Sequence, residues 1–338
     1  MDGTAADNIA TSDVLAISWF EHRRTRELCT GLGIELVLLD TTHRGLRRYL
    51  LLTARTIAVL VRQRPRVLLV QSPSVVLSVL AVILGGPFGY RLIVDAHNEA
   101  VVPQEHPQLW VRWLSSWVIR HAHLTIVTNR QLAEVVREQR GEPFVLPDRI
   151  PTPPVGATRT LGPGFNLVLI ATFARDEPIA AIFEAVRGAE PELFVTGNPD
   201  KLPAAVAANA PPNVRFTGFL AEDEYWALLR AADAIVDLTS QPDCLVCGAY
   251  EALAVGAPML LSNNRASVEL FGEGALFTDN TAKDIRRALE RLKSERASLR
   301  AAAALKRGEL IAAWSLRAQG LLDMLQRWCA GSGRERVL

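Results

Sequence analysis

The feature that most constrains the fold of this sequence is a repeated alternation of short apolar runs with helical segments. Aliphatic runs of this length are typical of strands that are buried on both faces of a parallel sheet. In the first half of the chain we predict strands at residues 14–18, 34–40, 67–71, 92–95 and 124–128. Helices are predicted between and after them, at residues 22–31, 45–62, 74–84, 107–120 and 130–139.

The alternation resumes after a proline-rich segment. Prolines at 147, 151, 153 and 154 predict an extended linker, which we place at residues 147–164. Beyond it we predict strands at 165–171, 192–196, 214–217, 234–238, 259–262 and 275–278, and a long helix at 295–329. Two rounds of βαβ alternation predict two Rossmann-like, doubly wound α/β domains, at residues 1–146 and 165–308. Such sheets bind ligands at the carboxyl ends of their strands.

Composition narrows the class of protein. A net charge of +1 over 338 residues gives no indication of nucleic-acid binding. We see no signal peptide, and the longest uncharged apolar run, residues 75–86, is too short to span a bilayer. Four cysteines in a chain of this length do not form a disulfide framework. We therefore expect a cytoplasmic protein.

An acidic pair lies at the start of a predicted helix in the second domain. Asp243 and Glu251 are separated by seven residues, and Gly256-Ala257-Pro258 then leads into an apolar strand. Because a helix N-terminus favours an anion, a diphosphate can lie there while the carboxylates meet sugar and ribose hydroxyls. The alternative is an amphipathic helix with two solvated acids.

The same segment contains Cys244 and Cys247, spaced as Cys-x-x-Cys. Such a pair can form half a zinc site or a redox pair, or it can supply small side chains for packing. No second pair with metal-ligand spacing accompanies it, and we predict no metal site.

The segment from Asp243 to Pro258 resembles the donor-site signature of GT-B glycosyltransferases, above all of glycosyltransferase family 4. Three further motifs are similar to one branch, the asparagine-linked-glycosylation β-1,4-mannosyltransferases. They are Val70-Gln71-Ser72-Pro73-Ser74, Val94-Asp95-Ala96-His97-Asn98 and Leu146-Pro147-Asp148-Arg149. In the second domain, the stretch from Ala171-Thr172-Phe173 to Asp176-Glu177 and the motif Thr196-Gly197-Asn198-Pro199 resemble the same branch.

This resemblance implies a GT-B fold with two domains facing across a cleft and a C-terminal helix, residues 309–338, that crosses back to the first domain. It implies a nucleotide diphosphate sugar as donor, GDP- or UDP-linked, with no metal and no cofactor. Glu251 would hold the ribose and Asp243 the sugar, with Thr172 and Gly197 also in the donor site. Arg175 and the amides near Cys247 and Gly248 would stabilise the diphosphate.

The sequence also departs from the family pattern. Family 4 carries an arginine and a lysine after the first strand of the second domain, whereas this chain has Arg175 and no lysine. Asp243 replaces a glutamate, and Cys244 and Val246 replace two glycines. The glycine-rich loop after the first strand of the chain is also missing.

A basic cluster occupies the place of that missing loop. It consists of His22, Arg23, Arg24 and Arg26. Since arginine suits bidentate contacts with phosphate, we expect these residues to bind an acceptor diphosphate. The alternative is a solvated first turn of a helix, although cations there oppose the helix dipole.

The end of the fourth strand carries two candidate catalytic groups. His97 can act as a general base or as a polar contact to the transferred sugar, because its pKa ordinarily lies near neutrality. Glu99 is the competing base. We expect Asp95 to be structural, bonding to loop amides.

A charge asymmetry marks the first domain. Residues 41–94 contain no Asp or Glu, while Arg44, Arg47, Arg48 and Arg55 lie among apolar side chains of one predicted helix. A basic amphipathic helix is typical of a membrane surface. Trp110, Trp113 and Trp117 share one face of another helix, where either an interfacial or a core position is consistent with the spacing.

Together these features predict a hexosyltransferase with a lipid-linked (polyprenyl-diphosphate) sugar acceptor, peripheral at the cytoplasmic face of an anionic membrane, in glycan or polysaccharide biosynthesis. Two alternatives remain open. One is a nucleotide-sugar epimerase of the same fold, which needs no membrane. The other is a non-catalytic subunit that binds a partner transferase.

Overall fold

The computed structural model describes residues 13–72, 74–101 and 108–331, with the side chain of Glu99 left out. The described residues divide into two compact units. The first runs up to Arg149 and resumes at Trp314, and the second is Ile150–Ala313.

The first unit is built on a six-stranded parallel sheet of order β2-β1-β3-β4-β5-β6. The strands are β1 Val14–Ser18, β2 Glu35–Leu38, β3 Val67–Ser72, β4 Arg91–Ala96, β5 Leu124–Val127 and β6 Pro143–Val145. The helices are α1 Arg23–Leu32, α2 Gly45–Gln63, α3 Val75–Phe88, α4 Asn98–Val101, α5 Leu109–His121 and α6 Arg130–Glu138. Strand order reverses between β1 and β3, which is where such sheets bind ligands.

The second unit has a six-stranded parallel sheet of order β12-β11-β10-β7-β8-β9. Its strands are β7 Asn166–Leu169, β8 Glu192–Thr196, β9 Val214–Gly218, β10 Ala234–Asp237, β11 Met259–Ser262 and β12 Leu276–Thr278. Its helices are α7 Ile179–Val186, α8 Ala204–Ala208, α9 Glu222–Ala231, α10 Cys247–Val255, α11 Arg265–Phe271 and α12 Ala282–Ser294, with short 3-10 turns at Pro199–Lys201 and Gly272–Gly274. The reversal here falls between β7 and β10.

The last helix, α13 Arg296–Ala330, contributes to both cores. Ala303 packs in the core of the second unit. Trp314, Leu321 and Leu325 pack with Leu28 of α1 against one face of the first sheet. The other face of the first sheet is covered by α2, α3, α5 and α6. In the second sheet, alternate residues of β7 and β10 likewise belong to two core clusters, one on each face. Both sheets are therefore packed on both faces, as their aliphatic strands predict.

The predicted fold class, two Rossmann-like domains, is confirmed, and every predicted strand is present. Strand β6 was not predicted, because it has only three residues and begins at Pro143. Helix α3 continues to Phe88, beyond the predicted end at residue 84. Pro87 is tolerated in its last turn, and Gly89 ends the helix in the left-handed conformation.

Candidate functional site

The second unit brings polar groups to the point where its strand order reverses. The loops after β7 and β10 and the start of α10 meet there, since Ile170 and Asp237 both lie against Gly248. Thr172, Arg175, Asp243 and Glu251, all predicted from the sequence, lie on these loops and on α10.

The loop after β7 is organised by the carboxylate of Glu177. Its oxygens accept hydrogen bonds from the Thr172 N–H (2.9 Å), the Thr172 hydroxyl (2.6 Å) and the Phe173 N–H (2.9 Å). Phe173 takes the left-handed conformation that this turn requires. The polar groups of Thr172 are thus engaged within the protein, in contrast to the expectation that they face a donor.

Gly197 follows β8 and is needed for packing. Its φ is +90°, and an added Cβ would overlap the carbonyl oxygen of Ala171. Thr196, one residue earlier, bonds to the Leu169 carbonyl at 3.3 Å. A residue with a side chain at position 197 would push β8 away from the loop that carries Thr172.

Gly248 stands in the first turn of α10, directly against Asp237. Its N–H donates to Asp237 Oδ2 at 2.9 Å. This corrects the expectation that the Gly248 amide faces a bound diphosphate, because a carboxylate of the protein itself already holds it.

Asp237 is the most perturbed carboxyl group of this region. Burial raises its pKa well above its usual range, and the charges of Glu251, Glu177 and Asp176 raise it further. The hydrogen bond from Gly248 acts in the opposite direction. The acid-rich surroundings therefore favour a protonated Asp237.

Glu251 lies inside α10 and is 6% exposed. The Tyr225 hydroxyl, from α9, donates to its Oε2. A buried carboxylate held by a tyrosine has a fixed orientation, which suits recognition of a diol such as ribose. Asp243, at the other end of the motif, is half-buried with a left-handed backbone at φ 55°.

Arg175 is exposed on the β7–α7 loop. Cys247 is exposed at the first position of α10, and Cys244 is half-buried. Within residues 13–72, 74–101 and 108–331, no group of three or more His, Cys, Asp or Glu side chains could hold a metal ion.

The first unit has its own polar cluster where its strand order reverses. His22 lies after β1, Gln71 and Asp95 are the next-to-last residues of β3 and β4, and His97 directly follows β4. The His22 and His97 rings meet edge to face, with centroids 4.5 Å apart. Gln71 is fully buried and accepts a hydrogen bond of 2.5 Å from the Ser18 hydroxyl.

Arg24 differs from its expected role. It is 6% exposed, and its Nε and Nη2 donate to Asp95 Oδ1 at 3.0 and 2.8 Å, while Nη1 bonds to Asp148. Although burial alone lowers the pKa of Arg24, the two carboxylates raise it above its ordinary value. Its guanidinium is thus committed to the interior and does not face an acceptor phosphate. Asp95 likewise bonds to this arginine instead of loop amides.

Both histidines of the cluster are neutral near neutral pH. Burial is the main reason that the pKa of His97 falls to about 3, and the charges of Arg24 and His22 add to it. Burial also lowers the pKa of His22. His97 nevertheless keeps 19% of its side chain exposed, so it remains open to a ligand.

The other predicted residues of this site fall into different environments. Arg26 is exposed and paired with Glu21 at 2.6 Å, and Arg23 is half-buried. The side chain of Glu99, the competing base, lies outside the described part of the structure.

The predicted membrane-contact residues lie on α2 and just before it. Arg44, Arg47 and Arg55 are exposed, whereas Arg48 is half-buried and donates to the Trp19 carbonyl at 3.0 Å. Arg55 also donates to the Asp40 carbonyl at 2.7 Å. Among the described residues no helix combines the length and the apolar character needed to cross a bilayer.

The three tryptophans of α5 were predicted to lie either at a membrane interface or in the core, and they differ in exposure. Trp113 is 64% exposed and Trp110 59%, while Trp117 packs against the core. The core interpretation therefore holds for Trp117 alone.

Several residues of these sites were not predicted. Glu177 lies in a stretch that resembles the mannosyltransferase branch but was not assigned to the site, and Asp237 and Tyr225 lie in no motif that marks them. Arg24 could have been placed correctly, because Arg24, Leu28 and Leu32 recur at four-residue intervals and form the buried stripe of α1.

Two family models match successive parts of this chain. The glycosyl transferase 4-like domain matches residues 10–153, and the glycosyl transferase-like domain matches residues 177–323. The chain belongs to the GT-B glycosyltransferases. The predicted enzyme class is thereby confirmed.

Solved structures share the fold of this glycosyltransferase over nearly its whole length. Sucrose-phosphate synthase from Thermosynechococcus elongatus has a TM-score of 0.76 and 14% identity, covering 95% of this chain and 100% of that one. HepE from Anabaena, in complex with UDP and glucose, has a TM-score of 0.72 and 12% identity over 93% and 99%. A glycosyltransferase from Rickettsia africae has a TM-score of 0.64 and 11% identity over 94% and 90%. No curated protein matches this glycosyltransferase in sequence.

Proposed function

We propose that this glycosyltransferase moves a hexose from a nucleotide diphosphate sugar to a lipid-linked, polyprenyl-diphosphate sugar acceptor at an anionic membrane surface. The observation that carries the acceptor assignment is an exposed apolar and basic surface on the first unit. The donor assignment rests on the arrangement around α10.

The surface consists of the outer faces of α2, α3 and α5. These helices are neighbours, α2 beside α3 and α3 beside α5. Their exposed large apolar side chains are Leu46, Tyr49, Leu50, Ile57, Val61, Val76, Ile83, Leu109, Trp110 and Trp113. A group of this size on one face exceeds the scattered apolar side chains of an ordinary protein surface.

Helix α2 shows why this exposure is not a by-product of core packing. Leu52, Thr56 and Leu60 form its buried stripe. Leu46, Leu50, Ile57 and Val61 form a second stripe, since their spacing brings them to one other face of the helix. Leu46, at 74% exposed, has no role in the core.

The charges on the surface are of one sign. None of the three helices contains Asp or Glu, while Arg47, Arg62 and Arg112 are exposed on them. Each such cation contributes about 1 kcal/mol near an anionic leaflet, and tryptophan favours the interface between lipid and water. Cations around an apolar stripe support reversible binding to anionic lipid, where a long-chain acceptor resides.

The donor assignment is supported by the second unit. Glu251, fixed by Tyr225, would hold the ribose, and Asp243 would contact the sugar. Exposed Arg175 and the N-terminus of α10 at Cys247 would stabilise the leaving diphosphate without a metal. HepE binds UDP, which makes UDP-linked sugars the first donors to test, followed by GDP-linked ones.

The acceptor would be met by the first unit. His97 would accept a hydrogen bond from the acceptor hydroxyl, and His22, Arg23 and Arg26 would contact its diphosphate. Neutral His97 can accept a hydrogen bond from a hydroxyl at neutral pH, which supports this assignment.

Vesicle co-sedimentation across a salt series tests the membrane assignment. We expect binding to anionic vesicles that weakens as salt rises, and little binding to neutral ones, because screening shortens the reach of exposed charges to about 8 Å at physiological salt. A variant combining Arg44→Glu with Arg47→Glu should release the protein. The control is a variant that combines Arg287→Glu with Arg300→Glu. It makes the same change in net charge at two exposed positions of the second unit and should keep vesicle binding.

If the wild type ignores anionic vesicles at low salt, the lipid-linked acceptor loses its support. A soluble acceptor, or the nucleotide-sugar epimerase, would then be the better assignment. Self-association through the same surface, measured by sedimentation velocity without lipid, would also contradict the membrane assignment.

A further inference from the structure

We propose that Asp95 and Arg24 are positioning residues for His97, and that they couple its imidazole to the segments where the chain leaves and re-enters the first unit. This inference rests on the proposed function, in which His97 accepts a hydrogen bond from the acceptor hydroxyl. It concerns how the ring is oriented and held.

Nε2 of His97 faces the buried carboxylate of Asp95. His97 Nε2 lies 3.9 Å from Asp95 Oδ2, and Asp95 is completely buried. Neither atom has a hydrogen-bond partner among the described residues. A neutral ring that turned an unprotonated nitrogen toward this carboxylate would suffer repulsion, so its proton lies on Nε2. Nδ1 is then the nitrogen that can accept a hydrogen bond from the acceptor hydroxyl.

The position of Asp95 is set in turn by Arg24. Two guanidinium nitrogens donate to Asp95 Oδ1, and the third bonds to Asp148. Because the guanidinium is planar and rigid, it fixes the direction of both carboxylates at once. A lysine at this position retains the charge but lacks this geometry.

The far end of this chain of contacts lies where the polypeptide crosses between the units. Asp148 and Arg149 are the last residues of the first segment of the unit, and Trp314 is the first residue after the return. Arg149 bonds to Glu27 at 3.2 Å, and the Trp314 ring lies so close to Gly31 that a Cβ there would overlap it.

One face of α1 therefore holds both crossing segments. Arg24, Glu27 and Gly31 stand at i, i+3 and i+7, which places them on the same side of the helix. Arg24 belongs to this face and also bonds to Asp95. Asp148 and the carboxylate that faces His97 are therefore held by the same guanidinium.

A purely structural ion pair would account for the burial of Arg24 but not for an effect on the ring of His97. The two roles are separable by observing the imidazole itself. Nuclear magnetic resonance of ¹⁵N-histidine-labelled protein reports which ring nitrogen carries the proton. The His97 signals are identified by their loss in His97→Gln.

In the wild type we expect the Nε2–H form of His97 and no titration between about pH 5 and 8, where ordinary histidines titrate. In Asp95→Asn the amide can face either ring nitrogen, so the Nδ1–H form should become populated. An unchanged tautomer in folded Asp95→Asn would overturn the proposal.

Kinetics of Arg24→Lys supply the second test, in a variant that keeps the buried positive charge. We expect kcat to fall tenfold or more, the scale on which loss of an orienting partner reduces activity, with the Kd for the nucleotide unchanged. Arg291→Lys, in an exposed pair with Glu295 of the second unit, should leave both values unchanged.

If folded Arg24→Lys keeps the wild-type kcat, the contacts of Arg24 stabilise the fold only and do not position His97. A wild type that transfers no sugar to any acceptor would instead overturn the proposed function. The tautomer measurement needs no turnover, so it would still decide whether Asp95 orients His97.

Discussion

The N–H of Gly248 donates to Oδ2 of Asp237 at 2.9 Å, which ties the first turn of α10 to the end of β10. The glycine is required for this approach, since a Cβ would overlap the Asp237 carboxylate and lie 2.8 Å from Cδ1 of Ile170. The start of α10, where a diphosphate would bind, is therefore positioned by a carboxyl group with a raised pKa.

Gly248→Ala should disturb both folding and the donor site. We expect a loss of about 1–3 kcal/mol in unfolding free energy, the range for overpacked interiors, together with weaker nucleotide binding. Urea denaturation and calorimetric titration measure the two effects. Gly308→Ala is the control, because this exposed glycine of α13 has no atom within 4 Å of an added Cβ. It should raise stability by roughly 0.5–1 kcal/mol.

The ionisation of Asp237 should contribute to the pH dependence of the free energy of unfolding. Because its pKa is raised by burial, the folded state binds this proton more tightly than the unfolded chain. The contribution of this proton to the free energy of unfolding is complete at a pH below 3.8, the ordinary pKa of the group. It is lost as pH rises through the raised pKa of the folded protein. Asp237→Asn keeps an acceptor for Gly248 but does not ionise.

We therefore expect Asp237→Asn to gain stability over the wild type as pH rises, because the wild type loses the contribution of the protonated carboxyl group and the variant does not. Urea denaturation between about pH 5 and 8 measures the difference. A difference that stays constant with pH would show that the carboxyl group is ionised throughout, contrary to the account.

Substitutions around the nucleotide site should affect the binding of the nucleotide sugar and its turnover to different extents. Glu251→Gln should abolish nucleotide-sugar binding, because it removes the charge that meets the ribose. Tyr225→Phe should weaken binding less, since Glu251 keeps its charge and loses only its fixed orientation. Asp243→Asn should bind but turn over poorly.

Calorimetric titration measures the affinity for the nucleotide sugar, and an assay of donor hydrolysis measures its turnover. Asp223→Asn, an exposed acid two residues before Tyr225 on α9, is the control and should behave as the wild type. Wild-type affinity in Glu251→Gln would remove the ribose assignment.

Transfer should proceed without a divalent cation. In the proposed mechanism, Arg175 and the α10 N-terminus neutralise the leaving diphosphate, a task that a metal performs in other enzymes. We expect full activity in excess chelator. Activity that vanishes in chelator and returns with manganese would mean that the acidic groups near Asp237 bind a metal–diphosphate complex instead.

The strands were predictable because buried parallel strands are continuous aliphatic runs, and the site region followed because ligands collect where such strands end. His97 and Asp95 were found in this way. The GT-B class came from the motif around Asp243 and Glu251, which is local in sequence and therefore visible without a structure.

The partners of the site residues were not predictable, because they are set by contacts between distant segments. Arg24 meets Asp95 and Asp148, which lie 71 and 124 positions away in the chain. Nothing local distinguishes it from Arg23 or Arg26 except its place on the buried stripe of α1. In the same way, the sequence does not reveal that Asp237 holds the Gly248 amide.

The central claim is that sugar is transferred to a lipid-linked acceptor at a membrane surface. The most direct measurement is transfer of labelled hexose from UDP- or GDP-linked donors to a polyprenyl-diphosphate saccharide in anionic vesicles. The same saccharide on a short, water-soluble anchor serves as the comparison. We predict efficient transfer to the long-chain acceptor, reduced by salt and by Arg44→Glu with Arg47→Glu, while donor hydrolysis is unchanged. Equal transfer to both acceptors, insensitive to salt and to these substitutions, would contradict it.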